Sequence, residues 1–148
     1  MPPELESAVD RADIVRFARE CKGARFVHEG RHPQVGLDCA GVPLWIWHRL
    51  GLPPIAPTGY GRSPRPRTMT AILEEHLDRI APRAAGVGDV LHMAWKEVPQ
   101  HLAVITELVP VPRILHSCES LGGCSEHRFD GFWYARIRGA YRFPGVPA

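Results

Sequence analysis

The sequence predicts an α+β domain in which N-terminal helices pack on an antiparallel β-sheet. Apolar residues recur at helical spacing in the first half of the chain, whereas from Gly88 onward they form short runs separated by turns that contain proline and glycine. Helices followed by strands favour an antiparallel α+β arrangement over repeated βαβ units. At 148 residues, the chain is expected to form a single domain over positions 1–148.

Composition narrows the classes of function. Lys and Arg number 18 against 16 Asp and Glu, so the net charge of +2 argues against a nucleic-acid partner. Hydrophobic residues make up 45% of the chain, as in globular proteins. The 14 glycines and 15 prolines indicate many ordered loops and exclude a long helical bundle.

No targeting or membrane segment is evident. The first residues, MPPELESAVDRAD, carry acidic side chains and lack the apolar run of a signal peptide. The densest apolar stretch, Val42 to Trp47, is too short to span a bilayer. We therefore expect synthesis in the cytoplasm, no membrane insertion, and cysteines that are mostly reduced.

Three helices are predicted in the first half. Asp10 can cap a first helix that ends near Gly23, and its apolar spacing places Cys21 toward the core. A second begins near Cys39, with Pro43 in its first turn, and stops at Gly51. A proline-rich connection over positions 51–67 precedes a third. The apolar face of this third helix comprises Ile72, Leu73, Leu77 and Ile80.

Four short strands are predicted in the second half. They are Asp89 to Ala94, His101 to Thr106, Arg113 to Ser117 and Ala140 to Phe143.

Cys39 is the strongest candidate for a nucleophile. A thiol at a helix N-terminus feels the positive end of the helix dipole, so we expect a lowered pKa. His101 opens one predicted strand and His116 ends the next, so the two imidazoles can share one sheet face if the strands pair. With the Cys39 helix packed over that face, the three side chains would form nucleophile, base and orienting residue. Viewed alone, each residue also fits an ordinary core role.

Several segments together resemble the NlpC/P60 peptidases. GARFVHEGR followed by GLDCAGVPLWIWHRLGL is similar to the cysteine-bearing half of that family, in which an Asp-Cys-small-Gly motif opens a helix. GVGDVLHMAW, QHLAVIT and ILHS resemble its later strands. The ending FWYARIRGAYRFP is similar to short phage-type and gene-transfer-agent members.

The resemblance implies a papain-like fold and a cysteine peptidase that needs no cofactor or metal. It assigns Cys39 as nucleophile, His101 as base and His116 as the orienting member. It further implies a substrate among peptidoglycan stem peptides, cleaved at the bond from D-glutamate to a diamino acid. Phage-like tail-tip proteins are the implied partners, and the protein would act at the cell wall within such a particle.

Three further residues are assigned to substrate binding. Many family members carry a tyrosine, thought to bind the oxyanion, where this chain has Phe26, which cannot donate a hydrogen bond. Loss of one such donor can raise the barrier by about 2.7–4 kcal/mol. His28 could substitute, although a solvated loop histidine is the simpler interpretation. Asp38 is most simply an N-cap, with a secondary role in holding a substrate ammonium.

Two alternatives remain open from the sequence. Phe26 is compatible with a structural tail-tip module of the same fold that does little or no chemistry. Cys118, Cys124, His116 and His127 could form a zinc-binding interaction domain, although the cysteine spacing does not match structural zinc sites. The four tryptophans could include a sugar-stacking surface or could all be core residues. They are Trp45, Trp47, Trp95 and Trp133.

Overall fold

A computed structural model describes residues 8–55, 66–95 and 98–148. The helices are α1 (Arg11–Arg19), α2 (Gly41–Arg49), α3 (Pro66–His76) and the single turn α4 (Gly131–Tyr134). The strands are β1 (Arg31–His32), β2 (Gly36–Leu37), β3 (Asp78–Ile80), β4 (Val90–Trp95), β5 (Val98–Glu107), β6 (Arg113–Cys118), β7 (Gly123–Arg128) and β8 (Ile137–Arg142). None of the described helices is long and apolar enough to cross a bilayer.

Six strands form the main sheet, in the order β3-β8-β4-β5-β6-β7, and every neighbouring pair is antiparallel. The two-residue strands β1 and β2 form a separate small hairpin. This arrangement confirms the predicted α+β class. The proline-rich connection falls largely on positions 56–65, which lie outside the described residues.

Different apolar clusters pack on the two faces of the main sheet. Helices α1, α2 and α3 bury Ile14, Ile46 and Leu73 against strand residues such as Leu102 and Val104 on one face. The opposite face carries a second apolar cluster. Its buried members are Leu91, Met93, Ala103, Ile105, Ile114, Phe129 and Ala140. Because side chains alternate along a strand, residues next to one another in sequence belong to different clusters.

Most predicted helix and strand positions are confirmed. The Asp10 carboxylate accepts a hydrogen bond from the backbone N–H of Ala12, and Cys21 is fully buried as expected. The third helix is shorter than predicted, because Ile80 lies in β3 and packs against the opposite face of the sheet. Strands β1, β2, β3 and β7 and helix α4 were not predicted.

Two buried carboxylates form hydrogen bonds that link segments distant in sequence. Glu126 on β7 accepts hydrogen bonds from Arg19 on α1 and from Thr106 on β5. Asp89, which precedes β4, binds Arg142 on β8 through both carboxylate oxygens. These contacts tie the first helix and the last strand to the centre of the sheet.

Candidate active site

Cys39 lies two residues before α2, on a turn that the neighbouring residues fix. The Asp38 carboxylate accepts hydrogen bonds at 2.8 Å from the backbone N–H groups of Gly41 and Glu29 and one at 3.3 Å from Arg31. The N-cap position of α2 is occupied by Ala40, two residues after the predicted N-cap Asp38. Asp38, which is 2% exposed, still binds the backbone N–H of the first helical residue, Gly41. Contact between Asp38 and substrate stays a prediction.

Gly41 explains why the residue two places after Cys39 must be small. A Cβ atom built there would lie 2.4 Å from the carbonyl oxygen of Gly30, so any side chain would push the preceding loop away. The close approach lets the loop that contains Phe26 and His28 pack beside the start of α2.

The sulfur of Cys39 lies against the backbone of β5. The thiol donates to the carbonyl oxygen of Gln100 at 3.8 Å, and the nearby backbone N–H of Leu102 acts to lower the pKa of the thiol. These residues flank His101 on either side. The sulfur therefore meets the sheet at the position of the candidate base, at the side of β5 that faces β6.

His101 and His116 are brought together. The register Val104↔Leu115 places the two histidines as diagonal neighbours on one face, and Nε2 of His101 lies 2.6 Å from Nδ1 of His116. His101 is 3% exposed and His116 is fully buried. The two rings meet edge to face. The predicted juxtaposition of these imidazoles is thus present in the structure.

The predicted position of the helix relative to these histidines is wrong. His101 lies opposite Met93, which belongs to the cluster on the face without α1, α2 and α3. Helix α2 packs on the other face, where Leu102 points. The Cys39 sulfur contacts the backbone of β5 beside Gln100, on the side of the strand that faces β6, and the helix does not lie over the rings.

Burial determines the charge states in the site. It raises the pKa of the Cys39 thiol to about 12, with a smaller contribution from the nearby Asp38 carboxylate. The predicted lowering of this pKa by the helix terminus is therefore wrong, because removal from water outweighs the dipole. Burial and the neighbouring imidazoles hold the pKa of His101 well below its usual value, and that of His116 falls to about 3. At neutral pH the site contains a thiol and neutral rings.

The loop residues assigned to substrate binding lie beside this site. Phe26 forms a parallel bridge with Leu37, two residues before Cys39, and is half-buried. His28 Nδ1 lies 4.0 Å from an oxygen of Asp38, and the His28 side chain is 33% exposed. Their roles toward substrate stay predictions.

The alternative zinc site is not assembled. Cys124 is paired with Ser117 across β6 and β7, so its side chain and that of Cys118 point to opposite faces of the sheet. Within the described ranges, no group of three His, Cys, Asp or Glu side chains could hold a metal ion. A shared site or a disulfide between these two cysteines would require the strand to be rebuilt.

Histidine 127 is a site residue whose place sequence reasoning missed. It lies on β7, and its Nε2 is 2.7 Å from Nε2 of His116. Trp133 on α4 packs against both rings, with centroids 5.0 Å apart in each case. His116 follows the apolar pair Ile114 and Leu115, which marks its strand, but the strand that carries His127, GCSEHR, is too polar to be recognised from its sequence.

The other tryptophans have structural contacts. Trp45 donates its indole N–H to Glu20, and Trp47, which is 8% exposed, donates to the carbonyl oxygen of Pro53. The side chain of Trp95 lies outside the described residues. A sugar-stacking role for any of the four stays a prediction.

Comparison with known proteins supports the fold. No protein-family model and no curated protein matches the sequence. Among solved structures, the NlpC/p60 domain of the peptidoglycan hydrolase SagA superposes with a TM-score of 0.61 at 20% identity, covering 91% of this chain and 100% of that one. NlpC1 from Trichomonas vaginalis gives 0.67 at 13% identity, with 90% and 44% covered.

An NlpC/P60 family protein from Bacillus cereus ATCC 10987 gives a TM-score of 0.66 at 16% identity, covering 93% of this chain and 41% of that one. The chain thus spans less than half the length of the last two proteins but the whole of the SagA domain. From the sheet order, the helix layer and these superpositions, we conclude that the chain has the NlpC/P60 fold.

Proposed function

We propose that the protein is a cysteine peptidase that hydrolyses amide bonds in peptidoglycan stem peptides. The observation that carries the proposal is the buried His101–His116 pair on strands β5 and β6, with the Cys39 thiol hydrogen-bonded to the carbonyl oxygen of Gln100, the residue before His101. SagA, a structure of the same fold, is described as a peptidoglycan hydrolase, which supports the choice of substrate class.

The reaction begins when the sulfur of Cys39 attacks the amide carbon and its proton passes to His101. The developing oxyanion accepts a hydrogen bond from the backbone N–H of Cys39, and Phe26 cannot add a second. The tetrahedral intermediate collapses to a thioester as His101 protonates the departing amine. Water then attacks the thioester with His101 as base, which releases the acid and restores the thiol.

The finer assignments rest on sequence resemblance. The resemblance to the NlpC/P60 peptidases implies cleavage between D-glutamate and a diamino acid. The C-terminal segment that contains Trp133 and Tyr141 is similar to phage-type and gene-transfer-agent proteins. We propose that the protein is synthesised in the cytoplasm and acts at the wall as part of a phage-like tail.

The proposal is tested by digesting purified wall fragments with the full chain and analysing the products by mass spectrometry. Each cleavage adds one water and exposes a new amino group on the diamino acid. Release of free diamino-acid termini supports the assignment. Cleavage only between sugars, or between sugar and peptide, would contradict it.

A second candidate function is a structural module with the same fold and little chemistry. The absence of a hydroxyl at Phe26 and the raised pKa of the Cys39 thiol favour it. Unchanged wall fragments after prolonged digestion, together with no alkylation of Cys39 by a thiol reagent at neutral pH, would support this alternative.

The pH dependence of hydrolysis follows from the charge states of the site. Because the pKa of His101 is lowered, the neutral base persists in acid, and the acid limb of kcat/KM is expected well below the 6.5 of an ordinary imidazole. Because the pKa of Cys39 is raised to about 12, no alkaline limb is expected from the thiol up to about pH 10. A pH profile on a soluble wall peptide measures both. A bell-shaped profile with an alkaline limb near about pH 8 would instead indicate a thiolate–imidazolium pair.

A further inference from the structure

Three histidine rings form a continuous hydrogen-bonded chain across three strands. His101 Nε2 lies 2.6 Å from His116 Nδ1, and His116 Nε2 lies 2.7 Å from His127 Nε2. The last ring ends on the backbone, where Nδ1 of His127 lies 2.8 Å from the carbonyl oxygen of Arg128. The chain thus runs from the candidate base to β7.

The terminal carbonyl fixes the direction of every bond in this chain. A carbonyl oxygen only accepts, so Nδ1 of His127 carries a proton and donates it. In a neutral ring, Nε2 of His127 then holds a lone pair and accepts from Nε2–H of His116. By the same reasoning Nδ1 of His116 accepts from Nε2–H of His101.

We propose that His127 is a positioning residue for the hydrolysis. Through His116 it holds His101 in the tautomer whose Nδ1 carries a lone pair, the form able to take the proton from the Cys39 thiol. The inference rests on the proposed function and extends it from three residues to four. Proton transfer moves one proton from Sγ of Cys39 to Nδ1 of His101 and leaves the bond to His116 intact.

The surroundings keep His116 neutral and hold the rings in place. His116 is fully buried, and burial lowers its pKa to about 3, so it is uncharged at neutral pH. Trp133 packs edge-on against His116 and at a tilt of 40° against His127. These contacts restrict rotation of both rings. The hydrogen-bond direction that the carbonyl oxygen of Arg128 fixes is therefore kept along the three histidines.

A side chain at position 127 that can only donate would reverse the direction of the hydrogen bonds among these histidines. A lysine has three N–H donors and no acceptor, so Nε2 of His116 would have to accept. Nδ1 of His116 would then donate to Nε2 of His101, and the proton of His101 would move to Nδ1. In that tautomer His101 cannot accept the proton of Cys39.

The experiment compares His127→Lys with His127→Gln, whose amide oxygen can replace Nε2 as acceptor. His48→Lys, on the exposed surface of α2, is the matched control for introducing a lysine. Nitrogen-15 chemical shifts of the labelled histidine rings report the tautomer directly, and digestion of a wall peptide reports kcat and KM.

We expect His101 to carry its proton on Nε2 in the wild type, in His127→Gln and in His48→Lys, and on Nδ1 in His127→Lys. The lysine variant should lose between about 10² and 10⁴ in kcat with KM little changed, as expected for a base held in the wrong tautomer. Glutamine should restore most of the activity.

An unchanged tautomer of His101 in folded His127→Lys, or unchanged kcat, would overturn the proposal. If His127→Lys does not fold, His127→Leu replaces it, and loss of a single His101 tautomer is expected because no acceptor remains for His116. A wild type with the expected tautomer but no hydrolysis would refute the proposed function, whereas the control of the His101 tautomer by His127 is judged from the nitrogen-15 shifts alone.

Discussion

Cys39→Ala is expected to abolish hydrolysis of wall fragments, with a fall in kcat of about 10⁶-fold, as when a catalytic nucleophile is removed from a comparable hydrolase. The reason is that the thioester cannot form without the sulfur. Direct attack by water would be slow, because the described part of the site has no group that positions a water molecule against the amide. Product release from purified wall fragments measures the loss.

Cys124→Ala is the matched control for this substitution. Cys124 is 6% exposed, and its side chain belongs to the core cluster on the helix-covered face of the sheet, opposite the face that carries the histidines. This variant should retain the wild-type rate. Equal rates for wild type and Cys39→Ala would refute cysteine catalysis.

Asp89→Ala is expected to lower the free energy of unfolding by about 3–5 kcal/mol, because it leaves buried donors without their acceptor. The Asp89 side chain is fully buried and accepts from the backbone N–H of Gly86 at 2.7 Å and from Arg142 at 3.0 and 2.8 Å. Arg11 approaches the same carboxylate at 3.3 Å. Unfolding in urea, followed by circular dichroism, measures the change.

Asp13→Ala tests whether burial of the carboxylate causes the loss of stability expected for Asp89→Ala. Asp13 pairs with Arg16 at 2.8 Å, but the two side chains are 47% and 60% exposed. An exposed pair of this kind contributes about 0–1 kcal/mol, so the control should unfold almost as the wild type does. Similar losses for Asp13→Ala and Asp89→Ala would contradict the assigned role of Asp89.

Local patterns explain the parts of the fold that were predictable. The spacing that places Cys21 and Ile46 in the core repeats with the turn of a helix, and the alternation in β5 repeats with the pleat of a strand. The proximity of His101 and His116 also followed, because antiparallel neighbours share a face at matching positions.

Strand β7 could not be predicted from its own residues. Its sequence, GCSEHR, has little apolar character, and its buried carboxylate at Glu126 is satisfied by Arg19 and Thr106 from distant parts of the chain. Its backbone pairs with β6 from Arg113↔Arg128 to Cys118↔Gly123. Consequently His127 could be noticed as a histidine but could not be placed next to His116.

The environment of Cys39 could not be predicted from the local sequence either. A helix start favours the thiolate, but the extent of burial depends on how α2 and β5 meet, and burial raises the pKa of the thiol to about 12. The face of the sheet that carries His101 depends on the register with Met93. Both are tertiary properties.

The central claim is that Cys39 becomes covalently attached to the substrate during hydrolysis. Rapid acid quench of the full chain with a wall peptide, followed by intact-mass and peptide mapping, tests it most directly. We expect an added mass equal to the acyl portion of the peptide, located on Cys39 and removable by hydroxylamine. Product formation with no adduct in wild type, and undiminished turnover by Cys39→Ala, would contradict the claim.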